Sequence, residues 1–305
     1  MSIRKSRLVT AVVCALAVVL ALVFTAGTSQ VSAAGKAKKK TIYMIDHITV
    51  TGASLKEEVK VKYNKAGEGY RAAVTRRTGQ NAESGYSYYC LTVRSDFKNG
   101  YRTRDRVTEK TWRESGSGKS KEHISSSTIK YTYNKQGRCA KISASQDNES
   151  VDLLYKYSRK NLLKSLNAKS GGKVLLSAKY KYDKKKKIAE QAMRSYQTGG
   201  TYDTITAKYR YDRRGNPKTM TYGGNGKTAA TVSFANSYGK SGRLIKTTAR
   251  AAGSETKYTY KYHYKKLKVN RTVADRLLRD QNIHFNSPMR YSYYTGWNWD
   301  PLFYL

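Results

Sequence analysis

Three kinds of residue in this 305-residue chain could do chemistry: carboxylates, thiols, and cations interleaved with aromatic rings. Two neighbouring carboxylates can act as general acid and base on a glycoside, and the stretch QDNESVD sets Asp147, Glu149 and Asp152 close together. In a chain with 59 Lys and Arg against 21 acids the same stretch reads as a solvated loop, and no catalytic residue is assigned. Ser115–Ser120, SGSGKS, has the small residues of a phosphate-binding loop, but Arg113 stands where the first glycine belongs. A flexible loop is the expectation there. His47, His123, His263 and His284 are scattered without ligand spacing, so neither a metal site nor a cofactor site is assigned. Cys90 and Cys139 could form a disulfide in an oxidising compartment, with two free thiols as the alternative.

The cations and rings follow a regular pattern. Strand side chains alternate between two faces, so in AKYRYD the residues Ala207, Tyr209 and Tyr211 point one way while Lys208 and Arg210 point the other. Tyr180 and Tyr182 stand in the same relation to Lys179 and Lys181. One face is aromatic and the other cationic. Lys130, Lys156, Lys179, Lys181, Lys208 and Arg210 are therefore the candidate polyanion-binding residues. Tyr209, Tyr211, Trp297 and Trp299 are candidate stacking platforms for sugars or bases. The competing reading makes the tyrosine rows the core ladder of a sheet.

The elements that must carry these rows are hairpins. Five segments can be stacked on one another, beginning at Ile129, Leu153, Ala178, Ala207 and Ser233, and each reads as strand, polar turn, strand. The tyrosines before the turns are Tyr133, Tyr157, Tyr182, Tyr211 and Tyr238, at intervals of 24 to 29 residues. An earlier copy turns after Tyr63, a last one is expected to turn near Tyr264, and residues 84–118 hold degenerate copies. Asn134, Asp183 and Asp212 open turns through their short polar side chains, and Gly67, Gly137, Gly215 and Gly242 supply positive φ. The first of three prolines is Pro217, which leaves most of the chain free for central strands. From Thr272, TVADRLLRDQNIHF has a Thr N-cap and apolar residues at helical spacing, and an aromatic segment closes the chain as a cap. The expected fold is all-β, an antiparallel β-hairpin repeat array in an open twisted sheet or partial barrel, with one short C-terminal helix. Its divisions are a signal peptide (1–33), a basic leader and first strand (34–50), hairpin repeats (51–270), and a helix with aromatic cap (271–305).

Arg4, Lys5 and Arg7 followed by an apolar run from Leu8 to Ala26 have the layout of a secretory signal, with cleavage near Ala33 or Ala34. The alternative is a retained N-terminal anchor. The formal net charge of +38, less the leader's three cations, leaves +35 on the mature chain. Such a field concerns partners rather than fold. For a secreted or envelope-associated protein, the partners would be anionic polysaccharide, teichoic-acid-like polymer or an anionic membrane surface, with nucleic acid only as a nonspecific polyanion.

The turn pattern Tyr-x-Tyr-Asp-x-x-Gly, seen in YRYDRRGNP and, with Asn for Asp, in YTYNKQGRC, resembles the YD repeats of the Rhs family of secreted and surface proteins. Lys186 and Asn161 replace the turn glycine in two copies. The resemblance implies a β-hairpin spiral, in large members a hollow shell, with carbohydrate or cell-surface binding in some. This chain is too short for such a shell. YYTGW at Tyr293–Trp297 is similar to the aromatic core of choline-binding and glucan-binding wall repeats. The functional expectation is a non-enzymatic secreted module that binds anionic envelope polymers through its cationic face. The alternatives are a half-barrel lipid or lipoprotein carrier and an extracellular carbohydrate-active hydrolase.

Overall fold

The computed structural model describes residues 39–274 except 80–84, 99–100, 147–148, 161, 197–201, 225–227, 229 and 272–273. These residues form seventeen strands: β1 (Lys39–Thr51), β2 (Leu55–Tyr63), β3 (Gly69–Thr78), β4 (Tyr86–Lys98), β5 (Tyr101–Ser115), β6 (Gly118–Lys119), β7 (His123–Tyr133), β8 (Cys139–Gln146), β9 (Glu149–Tyr157), β10 (Leu163–Ser170), β11 (Lys173–Tyr182), β12 (Ile188–Tyr196), β13 (Tyr202–Tyr211), β14 (Pro217–Gly224), β15 (Ala230–Tyr238), β16 (Leu244–Ala251) and β17 (Lys257–Asn270). β6 is a two-residue bridge at the tip of the β5–β7 hairpin. The other sixteen pair antiparallel with their sequence neighbours, and β17 returns to β1 from Lys39↔Asn270 to Thr51↔Thr259.

The all-β hairpin array is present, and the ring it forms is closed. The expected open sheet is thus corrected to a sixteen-stranded barrel. The cause lies in a feature repeated in seven hairpins, where one extra residue sits just after the turn and shifts the register, as between Lys62 and Tyr63, Thr132 and Tyr133, and Arg210 and Tyr211. A bulge bends its strand and increases local twist. Repeated at one level of every unit, that twist curls the sheet until its edges meet. The expected last turn near Tyr264 is absent, because β17 runs straight through it and uses its length to close the seam. The helix expected from Thr272 and the aromatic cap lie almost wholly outside the described residues, as does the signal segment.

The aromatic and aliphatic face points inward. A round ring of sixteen strands leaves an aqueous channel, yet Val93, Ile142, Leu166, Ala207, Met220 and Val232 are each 0% exposed, and one buried cluster draws residues from every strand of the ring. The interior is filled by side chains, and each large aliphatic among them contributes about 1.5–3 kcal/mol. Two ion pairs sit within it. Arg76 donates to Glu57 Oε2 at 2.6 Å through Nε. Arg102 and Asp105 are both fully buried 3.3 Å apart, and the Tyr131 hydroxyl donates to the same Asp105 oxygen at 2.6 Å. Burial pushes the Asp105 carboxyl up, against the opposing pull of Arg102 and Tyr131.

Six turns at one end share one geometry. In all six the residue after the tyrosine donates its amide to the carbonyl four residues on, and in five its own carbonyl receives the amide three residues on, as in Gly137 N to Asn134 O at 2.8 Å and Lys186 N to Asp183 O at 3.0 Å. Asn134, Asp183 and Asp212 each accept two further amides through Oδ1. Each turn is then tied to its neighbour by a tyrosine. Tyr157 donates to the Cys139 carbonyl at 2.8 Å, Tyr182 to Leu163 at 2.8 Å, Tyr211 to Ile188 at 2.7 Å and Tyr264 to Leu244 at 2.7 Å. The tyrosine before a turn therefore staples one hairpin to the one before it, and Tyr264, within β17, makes the same bond without a turn after it. At Tyr238 the partner changes to Asp212 Oδ2.

Candidate functional site

The six cations expected to bind polyanions are all exposed on the outer wall. Register brings some of them together. Lys181 and Lys208 both oppose Glu190, and Lys181 is paired with it at 2.7 Å. Lys156 and Lys179 both oppose Ser165. Lys130 lies opposite Arg104, and Arg210 opposite Thr219. These residues form short groups broken by acids or small side chains, not a continuous stripe.

The expected stacking residues fall differently. Tyr209 is buried at 7% exposure with its hydroxyl toward Gln191 Oε1, and Tyr211 is half-buried as a staple, so neither offers a free ring face. The alternation that made them candidates placed them in the core. Trp297 and Trp299 lie outside the described residues. Outward aromatics occur instead at Tyr88 and Trp112, stacked across strands with centroids 5.0 Å apart, and Lys119 lies 4.8 Å over the Trp112 ring. Sequence inspection missed this pair because only the β4–β5 register brings the two rings side by side.

Cys90 is half-buried on the outer face of β4, Cys139 is buried at the start of β8, and both thiols are free. Strands β5 and β7 separate theirs, which accounts for two free thiols rather than the possible disulfide. Burial pushes the Cys139 thiol up to about 12. Of the acids weighed as a hydrolytic pair, Asp147 is outside the described residues, while Glu149 and Asp152 point to opposite faces of β9. Asp152 accepts from Ser143 at 2.7 Å and pairs with Lys141 at 2.9 Å. Ser115–Ser120 is a hairpin tip with no helix behind it. No group of three or more His, Cys, Asp or Glu is placed to hold a metal ion among the described residues.

Charge is concentrated in two further places. The six repeated turns, residues 64–68, 134–138, 158–162, 183–187, 212–216 and 239–243, carry thirteen Lys and Arg and three acids. At the opposite end, residues 52–54, 171–172 and 252–256 carry no Lys or Arg and one acid, Glu255, while the β5–β7 tip, residues 116–122, carries Lys119, Lys121 and Glu122. On the cationic rim Arg214 lies 4.3 Å over the Tyr238 ring and Arg243 4.0 Å over Tyr43. The second place is a single cross-strand row on the outer wall, where Lys62 opposes Arg71, Arg71 opposes Arg94, and Arg94 opposes Arg106.

No family model and no curated protein matches the sequence. Among solved structures, a porin-like protein from Bacteroides uniformis is similar with a TM-score of 0.48 at 10% identity, covering 72% of this chain and 98% of that one. A porin-like protein from Bacteroides vulgatus gives a TM-score of 0.37 at 10% identity over the same shares. The crystal structure of TcdB2-TccC3-Cdc42 gives 0.28 at 14% identity, covering 66% of this chain and 15% of that one.

Proposed function

We propose that this chain is a non-enzymatic binding module of the secreted or envelope-associated class that holds anionic polymers on its cationic outside. The observation that carries the reading is the sorting of side chains by face. Exposed cations such as Lys130, Lys156, Lys179, Lys208 and Arg210 occupy the outer wall, while the inner face is a largely apolar core filled by side chains. A barrel that crosses a membrane shows lipid an apolar outer band, and this one shows chiefly Lys, Arg, Ser and Thr, with Tyr70, Ile124, Tyr196, Tyr202 and Ile245 exposed among them. A lipid carrier needs an apolar cavity, and the space where one would lie is filled by the core cluster.

Binding by point charges and guanidinium groups is broad and salt-sensitive, because neutralising a polyanion releases its counterions. Retention of the mature chain on teichoic-acid-like polymer, polygalacturonate and neutral dextran columns tests this. Retention on the two anionic columns at low salt, lost at high salt, with passage through dextran, supports the reading. Salt-independent retention or none overturns it.

A further inference from the structure

Like charges directly opposite one another on a sheet destabilise it. The outer wall nevertheless sets four cations in one row on adjacent strands, Lys62, Arg71, Arg94 and Arg106, at a strand spacing of about 4.8 Å. All four are exposed. Lys62, Arg71 and Arg94 make no salt bridge among the described residues, and Arg106 is held at 2.8 Å by Asp96. The row continues by register into hydroxyls, since Arg106 opposes Thr128, Thr128 opposes Ser145, and Ser145 opposes Ser150. There the surface dips into an open depression of about 600 Å³ lined by Arg106, Thr108, Ser126, Thr128, Ser145 and Ser150, with Gln146 and Glu149 at its end.

Guanidinium groups are built for the two oxygens of a carboxylate or phosphate. Serine and threonine hydroxyls both donate and accept, which suits the hydroxyl groups of a sugar or polyol. A ligand that uses both halves of this surface carries anionic groups and free hydroxyls along one chain. We propose that the row from Lys62 to Arg106 and the hydroxyl-lined depression beside it form one binding track for an anionic glycan or polyol phosphate. This rests on the polyanion reading above and narrows it to one face and one ligand chemistry. The Lys156–Lys179 and Lys181–Lys208 groups of the opposite repeats then act as background charge.

The test compares two triple variants of the mature chain with equal loss of charge: Arg71→Gln/Arg94→Gln/Arg106→Gln on the track, and Lys179→Gln/Lys181→Gln/Lys208→Gln away from it. Affinity is measured for polygalacturonate, poly(glycerol phosphate), inorganic polyphosphate and single-stranded DNA at one fixed salt. The track variant is expected to lose about tenfold or more on the two hydroxylated polymers and the control variant only a few-fold, the loss expected from bulk charge alone. The track variant is also expected to melt no lower than wild type, since it removes repulsion, so that lost binding is not lost folding. Thr128→Tyr, which fills the depression, should weaken the two hydroxylated polymers and leave polyphosphate unchanged. Polygalacturonate and poly(glycerol phosphate) distinguish a carboxylate source from a phosphate source. Equal losses in the two triple variants, or DNA and polyphosphate bound as tightly as the hydroxylated polymers, overturn the track while the polyanion reading stands. Failure of the wild-type chain to bind any of the four overturns both.

Discussion

At the scale of single residues, the fold depends on a hydroxyl that the sequence displays openly. Each tyrosine before a turn could have been a phenylalanine if its task were only to fill the core. Except at Tyr238, which bonds Asp212, its hydroxyl instead satisfies a carbonyl where the bulge interrupts the ladder, as Tyr182 does for Leu163. Tyr182→Phe leaves that carbonyl without its donor and is expected to lower stability by about 1 kcal/mol, read as a fall in the urea midpoint. At Asp212 burial alone would raise the carboxyl, but donation from Tyr238, the Asn216 amide, Asn236 and the Arg214 amide outweighs it and holds the group below its ordinary 3.8. A lowered folded value adds stability that is present above the unfolded value and is lost as pH falls through the folded one. The urea midpoint should therefore drop as pH falls below about 4, and Asp212→Asn, weaker at neutral pH, should show a smaller drop.

At the scale of the hairpin, the turn chemistry was largely legible. Tyrosine, then Asn or Asp, then glycine three residues later marked the turns after Tyr63, Tyr133 and Tyr211, and Lys186 stood out as the missing glycine. The structure gives Lys186 a φ of 60°, in the region where Gly137 and Gly215 lie at 70° and 82°. The other interactions of the turn hold it there against a local cost of about 1–2 kcal/mol. Lys186→Gly is expected to raise stability by about 1 kcal/mol, with part of the relief offset by the freer unfolded chain. Gly137→Ala should lower it by a similar amount, both measured by thermal melting. The row from Lys62 to Arg106 was not legible in the same way. Its members lie in different strands, and their alignment depends on three successive registers and a bulge, which no local pattern encodes.

At the scale of the whole molecule, closure decides what surfaces exist. The bulge in each unit curls the array, and the join that completes it pairs β1 with β17, more than two hundred residues away. With the ring closed, no open seam is left between neighbouring strands, and unpaired edges remain only where the β1–β17 ribbon runs past the ring, residues 39–45 and 262–270 among the described residues. A cationic outer wall gives lipid no apolar band to contact. Residues 34–305, added to planar lipid bilayers, are therefore expected to produce no ion conductance, and stepwise channel openings would contradict the face assignment. The turns are also electrically uneven, with thirteen Lys and Arg in the six at the end where the chain enters β1 and leaves β17.

The antiparallel seam carries a further consequence for how such a chain can change over time. Each unit contributes two strands, so gaining or losing one keeps the strand number even and leaves β1 and β17 still running in opposite directions. Circumference is thus quantised in whole hairpins, and duplication of a single unit yields a wider ring with an intact join. Loss of one strand alone would set the two terminal strands parallel and break the join, so the lineage of this barrel is expected to have advanced in steps of two.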